Sequence, residues 1–430
     1  MKKIIGAALL GTMAAGIFAA DAKIALNFRG RLDAFSQVMQ DTGADKDAKS
    51  TSRNWLFQNG YSGASSDNFD FQLNGENAGV RVTWALKNED WSTDWNAKQY
   101  SGYMKFNAGP GVLTLEAGRW GDGYADGNYR VKKDVDAMNA EGLDFERFKL
   151  GAIFSGSNGL AFVDDLGFSG KVSGFANYKF NVNDDISLNF TVGGVKNDSF
   201  DEVEDGDTTT KWKSALASRV QFGMKNLLNA EFIYKKGVPR YNTFALYIMP
   251  QIMKELTLNV GGAMELYTGD ADYMDWAVDL RLRYQVMNPL SITLFTNISG
   301  TDLDAGRKIS AGIVAFDGSQ GNYGKGNAVN YGTNKQFKTA MWNQLGARYV
   351  VNDLLTATLN VGLITPLEKA KDDKDTYNPE WRVVPGVQIY AEKNASIWAA
   401  VALSGASAKI SDKEQSVFAV NIPVIFRVKM

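Results

Sequence analysis

The sequence contains no histidine and no cysteine among its 430 residues. Their absence excludes disulfides, thiol chemistry, iron–sulfur clusters, Ser-His-Asp and Cys-His nucleophile systems, and zinc sites with His or Cys ligands. Charge is balanced, with 46 basic against 48 acidic side chains and a formal net charge of −2. This balance favours no nucleic-acid partner. We therefore expect a protein that is not an enzyme and that needs no cofactor or metal.

Proline is also scarce, at 8 residues, whereas glycine (43) and aromatic residues (12%) are plentiful. This composition suits one large β-structure better than a disordered or helical chain. A chain of this length usually divides into two or more soluble domains, but large single barrels are exceptions. Beyond the N-terminal region, no segment approaches 18 consecutive apolar residues, so we expect no helical membrane span.

The N-terminus has the pattern of a secretory signal. Two lysines precede an apolar run over 4–18, and a small-x-small triplet follows it. The run is shorter than the roughly 20 residues of a membrane-spanning helix. We predict a signal peptide over 1–22 with cleavage before Lys23, and cleavage after Ala19 or Ala20 remains an alternative.

Alternation of apolar and polar residues dominates the rest of the chain. Over 166–180, apolar residues from Leu166 to Phe180 share one parity, whereas Lys171 falls on the other, and 274–286 repeats the pattern. Neighbouring residues of a strand point to opposite faces, so each segment has one apolar and one polar face. Such segments lie at 23–35, 68–75, 78–87, 95–106, 111–120, 166–180, 186–195, 212–224, 228–235, 242–253, 256–267, 274–286, 290–299, 338–350, 354–364, 381–391, 395–405 and 416–428. The count predicts about 18 strands, or 16 if the weakest segments are not strands.

The connections between these segments alternate between short and long. Short connections are predicted at 76–77, 107–110, 181–185, 225–227, 254–255, 351–353 and 392–394. Long connections are predicted at 36–67, 121–165, 196–211 and 300–337. Membrane barrels have short periplasmic turns and long outside loops, and an even strand number places both termini on the periplasmic side. Three prolines, Pro250, Pro385 and Pro423, fall inside predicted strands, where we expect bulges or register shifts because proline donates no ladder hydrogen bond.

Aromatic residues on the apolar face fall at two depths. Near the short turns lie Tyr178, Phe180, Phe222, Tyr284, Tyr349 and Phe426, and near the long loops lie Trp84, Trp212, Tyr234, Trp276 and Trp381. A soluble β-sandwich also alternates, but it has no reason to keep its short turns at one end or to sort aromatics by depth. Two belts are typical of a membrane barrel. We predict an all-β fold: a transmembrane antiparallel up-and-down β-barrel over 23–430.

The last predicted strand has apolar residues alternating up to the C-terminus, namely Phe418, Val420, Ile422, Val424, Phe426 and Val428. With this strand, the strand pattern and the loop alternation, the mature chain resembles the bacterial outer-membrane porins. The resemblance implies residence in the bacterial outer membrane, contact with its lipid, insertion by the barrel-assembly machinery and a homo-oligomer, a trimer. It also implies that the loop between the fifth and sixth strands folds into the lumen as a constriction.

Two sets of candidate site residues follow. The parity facing the lumen carries about 12 basic and 7 acidic residues, and the main predicted pore-lining residues are Arg29, Arg31, Arg81, Lys171, Arg219, Asp279, Arg281, Arg283, Arg348 and Arg382. The predicted constriction loop, 121–165, carries Asp134, Asp136, Glu141, Asp144, Glu146 and Arg147. Mixed charge there would filter solutes by charge. Two alternatives remain open: wall charges that merely pair across strands, and a surface loop that stays outside the lumen.

These observations predict a porin, a water-filled channel for passive diffusion of small hydrophilic solutes and ions. The alternative is a surface-exposed adhesin or structural outer-membrane protein whose barrel is plugged. Nothing in the sequence names a particular solute.

Overall fold

The fold is built from β-strands. The computed structural model describes residues 21–41, 48–59, 68–86, 95–119, 172–204, 207–236, 241–267, 273–300, 337–369, 376–410 and 412–430. The strands are β1 (Asp21–Asp41), β2 (Ala48–Asn59), β3 (Asn68–Asn74), β4 (Ala78–Leu86), β5 (Trp95–Ala108), β6 (Gly111–Arg119), β7 (Val172–Asn181), β8 (Ile186–Glu204), β9 (Asp207–Met224), β10 (Leu228–Lys236), β11 (Tyr241–Pro250), β12 (Leu256–Tyr267), β13 (Tyr273–Met287), β14 (Leu290–Gly300), β15 (Phe337–Asn352), β16 (Leu355–Lys369), β17 (Thr376–Tyr377), β18 (Glu380–Glu392), β19 (Ala395–Ala400), β20 (Ala402–Ile410) and β21 (Lys413–Lys429). Within these ranges, no helix is long and apolar enough to cross a membrane.

The strands pair antiparallel with their neighbours in the chain. From β3 to β16 each strand pairs with the next, and the pairing continues through β18 to β21. The last strand then pairs with the first, from Asn27 opposite Lys429 to Asp41 opposite Ser416. The order of pairings therefore returns to β1, which is the up-and-down barrel predicted from the alternation.

In three cases, two short strands lie end to end and pair with the same neighbouring strand. Both β2 and β3 pair with β1, both β17 and β18 pair with β20, and both β19 and β20 pair with β21. Counting each end-to-end pair once leaves 18 strands among the described residues. This confirms the predicted count of about 18.

Burial is inverted relative to a soluble protein. In β8, Asn189 and Thr191 are buried, whereas the alternating Phe190 and Val192 are 41% and 48% exposed. The same holds in β16, where Asn360 is buried and its neighbour Leu359 is exposed. Apolar side chains thus face outward and polar ones inward, which is the arrangement of a barrel surrounded by lipid.

Aromatic contacts occur at both ends of the apolar face. Ring pairs near the long connections are Phe69–Trp84, Tyr234–Phe244 and Trp381–Phe418, and pairs near the short turns are Tyr178–Phe180 and Phe28–Phe426. On β13, Trp276 and Tyr284 share the outward parity eight residues apart. That spacing is about 26 Å along the strand, or about 20 Å of depth for a typical barrel tilt. The outward apolar band therefore has roughly the height that a membrane requires.

Two predicted long loops were wrong. Residues 36–41 continue β1 and pair with β2 over 48–59, within the predicted loop 36–67. Likewise, β8 and β9 extend as one ladder to Glu204 opposite Asp207, within the predicted loop 196–211. The two segments that the sequence analysis took for loops, 48–59 and 196–211, are rich in polar residues. Apolar and polar residues do not alternate in these segments, so the periodicity of the sequence could not reveal that they form strands.

Prolines interrupt the ladders close to where the sequence predicted. Pro423 pairs with Asp33 at a register shift in β1. Opposite Pro385, the neighbouring strand is interrupted at Val401, which separates β19 from β20. The Val401 N–H still donates to the Pro385 carbonyl at 3.0 Å. Pro250 ends β11. A fourth proline, Pro366, pairs beside another register shift, and the sequence analysis did not single it out.

Candidate pore wall

The structure describes only part of the predicted pore-lining set. The backbones of Arg29, Arg31, Asp279, Arg281 and Arg382 lie in strands, but their side chains fall outside the described part of the structure. Lys171 and all six predicted constriction residues (Asp134, Asp136, Glu141, Asp144, Glu146 and Arg147) also lie outside the described residues. Side chains are described for Arg81, Arg219, Arg283 and Arg348. The pore-lining and constriction roles therefore remain predictions.

The four described arginines have different surroundings. Arg283 is exposed, opposite Thr257 and Thr293 in the register. Arg348 is half-buried, and its Nη2 donates to the Tyr390 hydroxyl at 3.4 Å. Arg219 is buried, and Arg81 lies over an aromatic ring. The predicted set is thus not one uniform ladder of solvated cations.

Arg219 forms a buried ion pair. Its Nη1 lies 3.7 Å from Oε2 of Glu231, and the two side chains are 0% and 2% exposed. A buried charge is costly unless an opposite charge and hydrogen bonds compensate for it. The pairing of these two residues agrees with the alternative that some wall charges neutralise one another across strands.

Hydrogen-bonded side chains continue from this pair across the inner faces of β7 to β10. The Asn177 amide donates to Asn189 Oδ1, Asn189 Nδ2 donates to Gln221 Oε1 at 2.8 Å, and Gln221 Nε2 donates to Glu231 Oε2 at 2.7 Å. We call Asn177, Asn189, Gln221 and Glu231 the polar chain. Sequence reasoning concentrated on charges and missed the three amides, although they share the inward parity in consecutive strands. Each amide is both donor and acceptor, so the chain satisfies polar groups that water would otherwise hydrate.

An apolar cluster occupies another part of the inner wall. It consists of Val384, Trp398, Ala400, Ala402 and Ile425, all buried. The Trp398 indole N–H donates to Thr358 Oγ1 at 3.1 Å, so its one polar atom is satisfied. We call these five residues the inner apolar cluster. The sequence analysis did not predict it, because alternation assigns this parity to the polar face.

The described residues hold no group of three or more acidic side chains placed to bind a metal ion. The polar atoms of the wall are amides, hydroxyls, guanidinium groups and carboxylates. These groups can donate hydrogen bonds to polar solutes and accept hydrogen bonds from them.

Comparisons with known proteins concern the fold. No protein-family model matches the sequence, and no curated protein matches it. Among solved structures, OccK11 (OpdR) of Pseudomonas aeruginosa is similar, with 12% identity, a TM-score of 0.47, and coverage of 95% of this chain and 96% of that one. OmpT, an outer membrane protein of Vibrio cholerae lacking loop L8, has 12% identity, a TM-score of 0.44, and coverage of 96% and 100%. The outer membrane channel DcaP of Acinetobacter baumannii has 11% identity, a TM-score of 0.41, and coverage of 95% and 98%. At these scores the likeness adds nothing to the assignment of the fold, which rests on strand pairing and exposure.

Proposed function

We propose that this chain is an outer-membrane porin through which small hydrophilic solutes and ions diffuse passively. The supporting observation is inverted burial on a barrel with 18 described strands, whose apolar side chains face outward and whose amides, hydroxyls and charges face inward. A closed barrel leaves no strand edge unpaired in lipid, and barrels of this strand number enclose an aqueous lumen. Solutes would then cross the apolar layer while remaining hydrogen-bonded, without a cofactor.

The decisive test is ion conductance of the purified protein in planar lipid bilayers. We expect stable single-channel steps, and uptake of small sugars by protein-containing liposomes. The heat-denatured protein is the control. A correctly folded barrel that neither conducts nor admits sugars would contradict the proposal.

The inner apolar cluster supports the second candidate, an adhesin or structural protein with a plugged barrel. Buried apolar groups are typical of a packed interior, and Val384 is 0% exposed. A plugged barrel should fold and insert normally, yet show no conductance above that of the lipid. The bilayer measurement therefore separates the two candidates.

Export and membrane insertion complete the proposal. The predicted signal peptide would direct the chain to the periplasm, and the barrel-assembly machinery would insert it into the outer membrane. Asp21 and Ala22 of β1 pair with Asn74 and Leu73. Cleavage after Ala19 or Ala20 would keep these pairs, whereas cleavage before Lys23 would remove them. The intact mass of the membrane-extracted protein would identify the site.

We also propose a homo-oligomer, and one polar pair on the outward face supports it. Thr296 Oγ1 donates to Asn343 Oδ1 at 3.0 Å, between apolar positions such as Leu345 and Ile298. Lipid tails offer no acceptor for the Asn343 amide N–H groups. A carbonyl or hydroxyl of a second copy would satisfy them. Asn343→Leu should weaken the oligomer on native gels, whereas Ser218→Leu, at another outward position, should not.

A further inference from the structure

We infer that Arg81, Tyr103 and Lys105 form a binding site for small oxyanions, carboxylate or phosphate groups, on the inner wall. We call these three residues the Tyr103 site. The inference rests on the proposed function, because it names a class of solute that the channel would select. It also makes a claim about equilibrium binding that can be tested without conduction.

The ring of Tyr103 is held in a fixed position. It is only 6% exposed, and its hydroxyl donates to Asn74 Oδ1 at 3.0 Å. Tyr103 lies opposite Gly79 in the register of β4 and β5, and a Cβ at Gly79 would lie 2.5 Å from Cε1 of the ring. The absence of a side chain at Gly79 therefore lets the ring lie directly against the wall.

Two cations lie beside this one ring. The Arg81 guanidinium carbon is 5.3 Å from the ring centroid, and Lys105 Nζ is 5.2 Å from it. Both distances are within the range of cation–π attraction. Arg81 and Lys105 are half-buried, on the inward parity of β4 and β5. The attraction of each cation to the ring thus offsets the repulsion between the two positive charges.

Neither cation is neutralised within the described part of the chain. Arg81 and Lys105 form no ion pair there, and the buried Arg81 Nε has no hydrogen-bond acceptor. Two carboxylates on neighbouring strands accept hydrogen bonds from hydroxyl groups. Thr83 Oγ1 donates to Asp70 Oδ1 at 2.5 Å, and Ser101 Oγ donates to Glu116 Oε1 at 2.8 Å.

This arrangement favours an oxyanion over a halide. A guanidinium presents a planar fork of N–H donors that matches two oxygens of a carboxylate or phosphate group, and an ammonium adds a point charge. Charge-assisted hydrogen bonds of this kind are stronger than those between neutral groups. An oxyanion would supply both the negative charge and the acceptor that Arg81 lacks.

The test measures binding of inorganic phosphate and of succinate to the folded protein by calorimetry in detergent, with chloride as the non-oxyanion reference. Arg81→Gln with Lys105→Gln should weaken oxyanion binding by at least about tenfold, as expected for loss of charged hydrogen bonds. The matched control is Lys179→Gln with Lys225→Gln, which removes two exposed positive charges near the short turns. This control should change the oxyanion affinity less than about twofold, because distant exposed charges attract the oxyanion only weakly through salt solution. Binding of phosphate alone or succinate alone would show which oxyanion the site prefers.

Tyr103 variants test the geometry. Tyr103→Phe keeps the ring and should retain binding, whereas Tyr103→Leu removes the ring and should weaken it although both cations remain. Equal losses in the two charge variants, or oxyanion binding no tighter than chloride binding, would overturn the site. Oxyanion binding without conductance would refute the channel and leave the Tyr103 site intact. Conductance without oxyanion binding would refute the Tyr103 site and leave the channel intact.

Discussion

At the scale of single residues, glycine beside an aromatic ring recurs along the barrel. Tyr247 lies against Gly261, Trp276 against Gly300, and Trp381 against Gly405. A glycine weakens a strand because it has no side chain to pack, and a ring from the neighbouring strand covers the gap. These glycines therefore serve close packing rather than unusual backbone angles.

Gly261→Ala tests this packing. A Cβ at Gly261 would overlap the Tyr247 ring, which is only 2% exposed and has little room to move. We expect the free energy of unfolding to fall by about 1–3 kcal/mol, the usual cost of overpacking, as measured by urea unfolding in lipid vesicles. Gly174→Ala is the control, since the nearest atom to its Cβ would be 3.7 Å away. Equal stabilities of the two variants would rule out the packing role.

The buried pair Arg219–Glu231 makes a second prediction at this scale. Glu231→Leu removes the negative charge and leaves the guanidinium buried, which should cost about 3–5 kcal/mol. Adding Arg219→Met should restore most of the lost stability, because neither charge then remains to be desolvated. The same unfolding assay measures both variants. A double variant that is no more stable than Glu231→Leu would show that the two residues are not energetically coupled.

At the scale of strands, alternation determines which residues meet lipid. Leu280 of β13 lies four residues from Trp276 and four from Tyr284 on the same parity, in the middle of the outward band. The preceding residue, Asp279, has the parity predicted to face the lumen. A one-residue slip would exchange the two faces, so substitutions at these neighbours report directly on orientation.

Leu280→Arg should impair folding into lipid vesicles, because arginine on the lipid face near the midplane costs about 2–4 kcal/mol. Asp279→Arg, at the same depth, should fold nearly normally because water can hydrate it. The heat-dependent shift in gel mobility reports the folded fraction of each variant. Equal folding yields would contradict the assigned orientation.

At the scale of the whole molecule, the predicted constriction over 121–165 would set the size of the solutes that pass. If this loop folds into the lumen, deleting 125–140 should raise single-channel conductance and admit larger sugars, because the narrowest section would widen. The barrel should still assemble, as none of the described ladders contains those residues. A deletion of 310–325, in another long predicted connection, is the control. Unchanged conductance in the first deletion would place the loop outside the lumen.

The sequence by itself determined the class of fold, the approximate strand number, the outward parity and the short turns, because lipid imposes a period of two on every strand that crosses it. The short turn over 182–185 and the alternation of β8 are examples that periodicity alone located. Only the tertiary structure decided which inward residues meet. The polar chain, the Arg219–Glu231 pair, the inner apolar cluster and the Tyr103 site each join residues of different strands. Their contacts depend on register, and the inner wall, unlike the outer, accepts polar and apolar side chains alike.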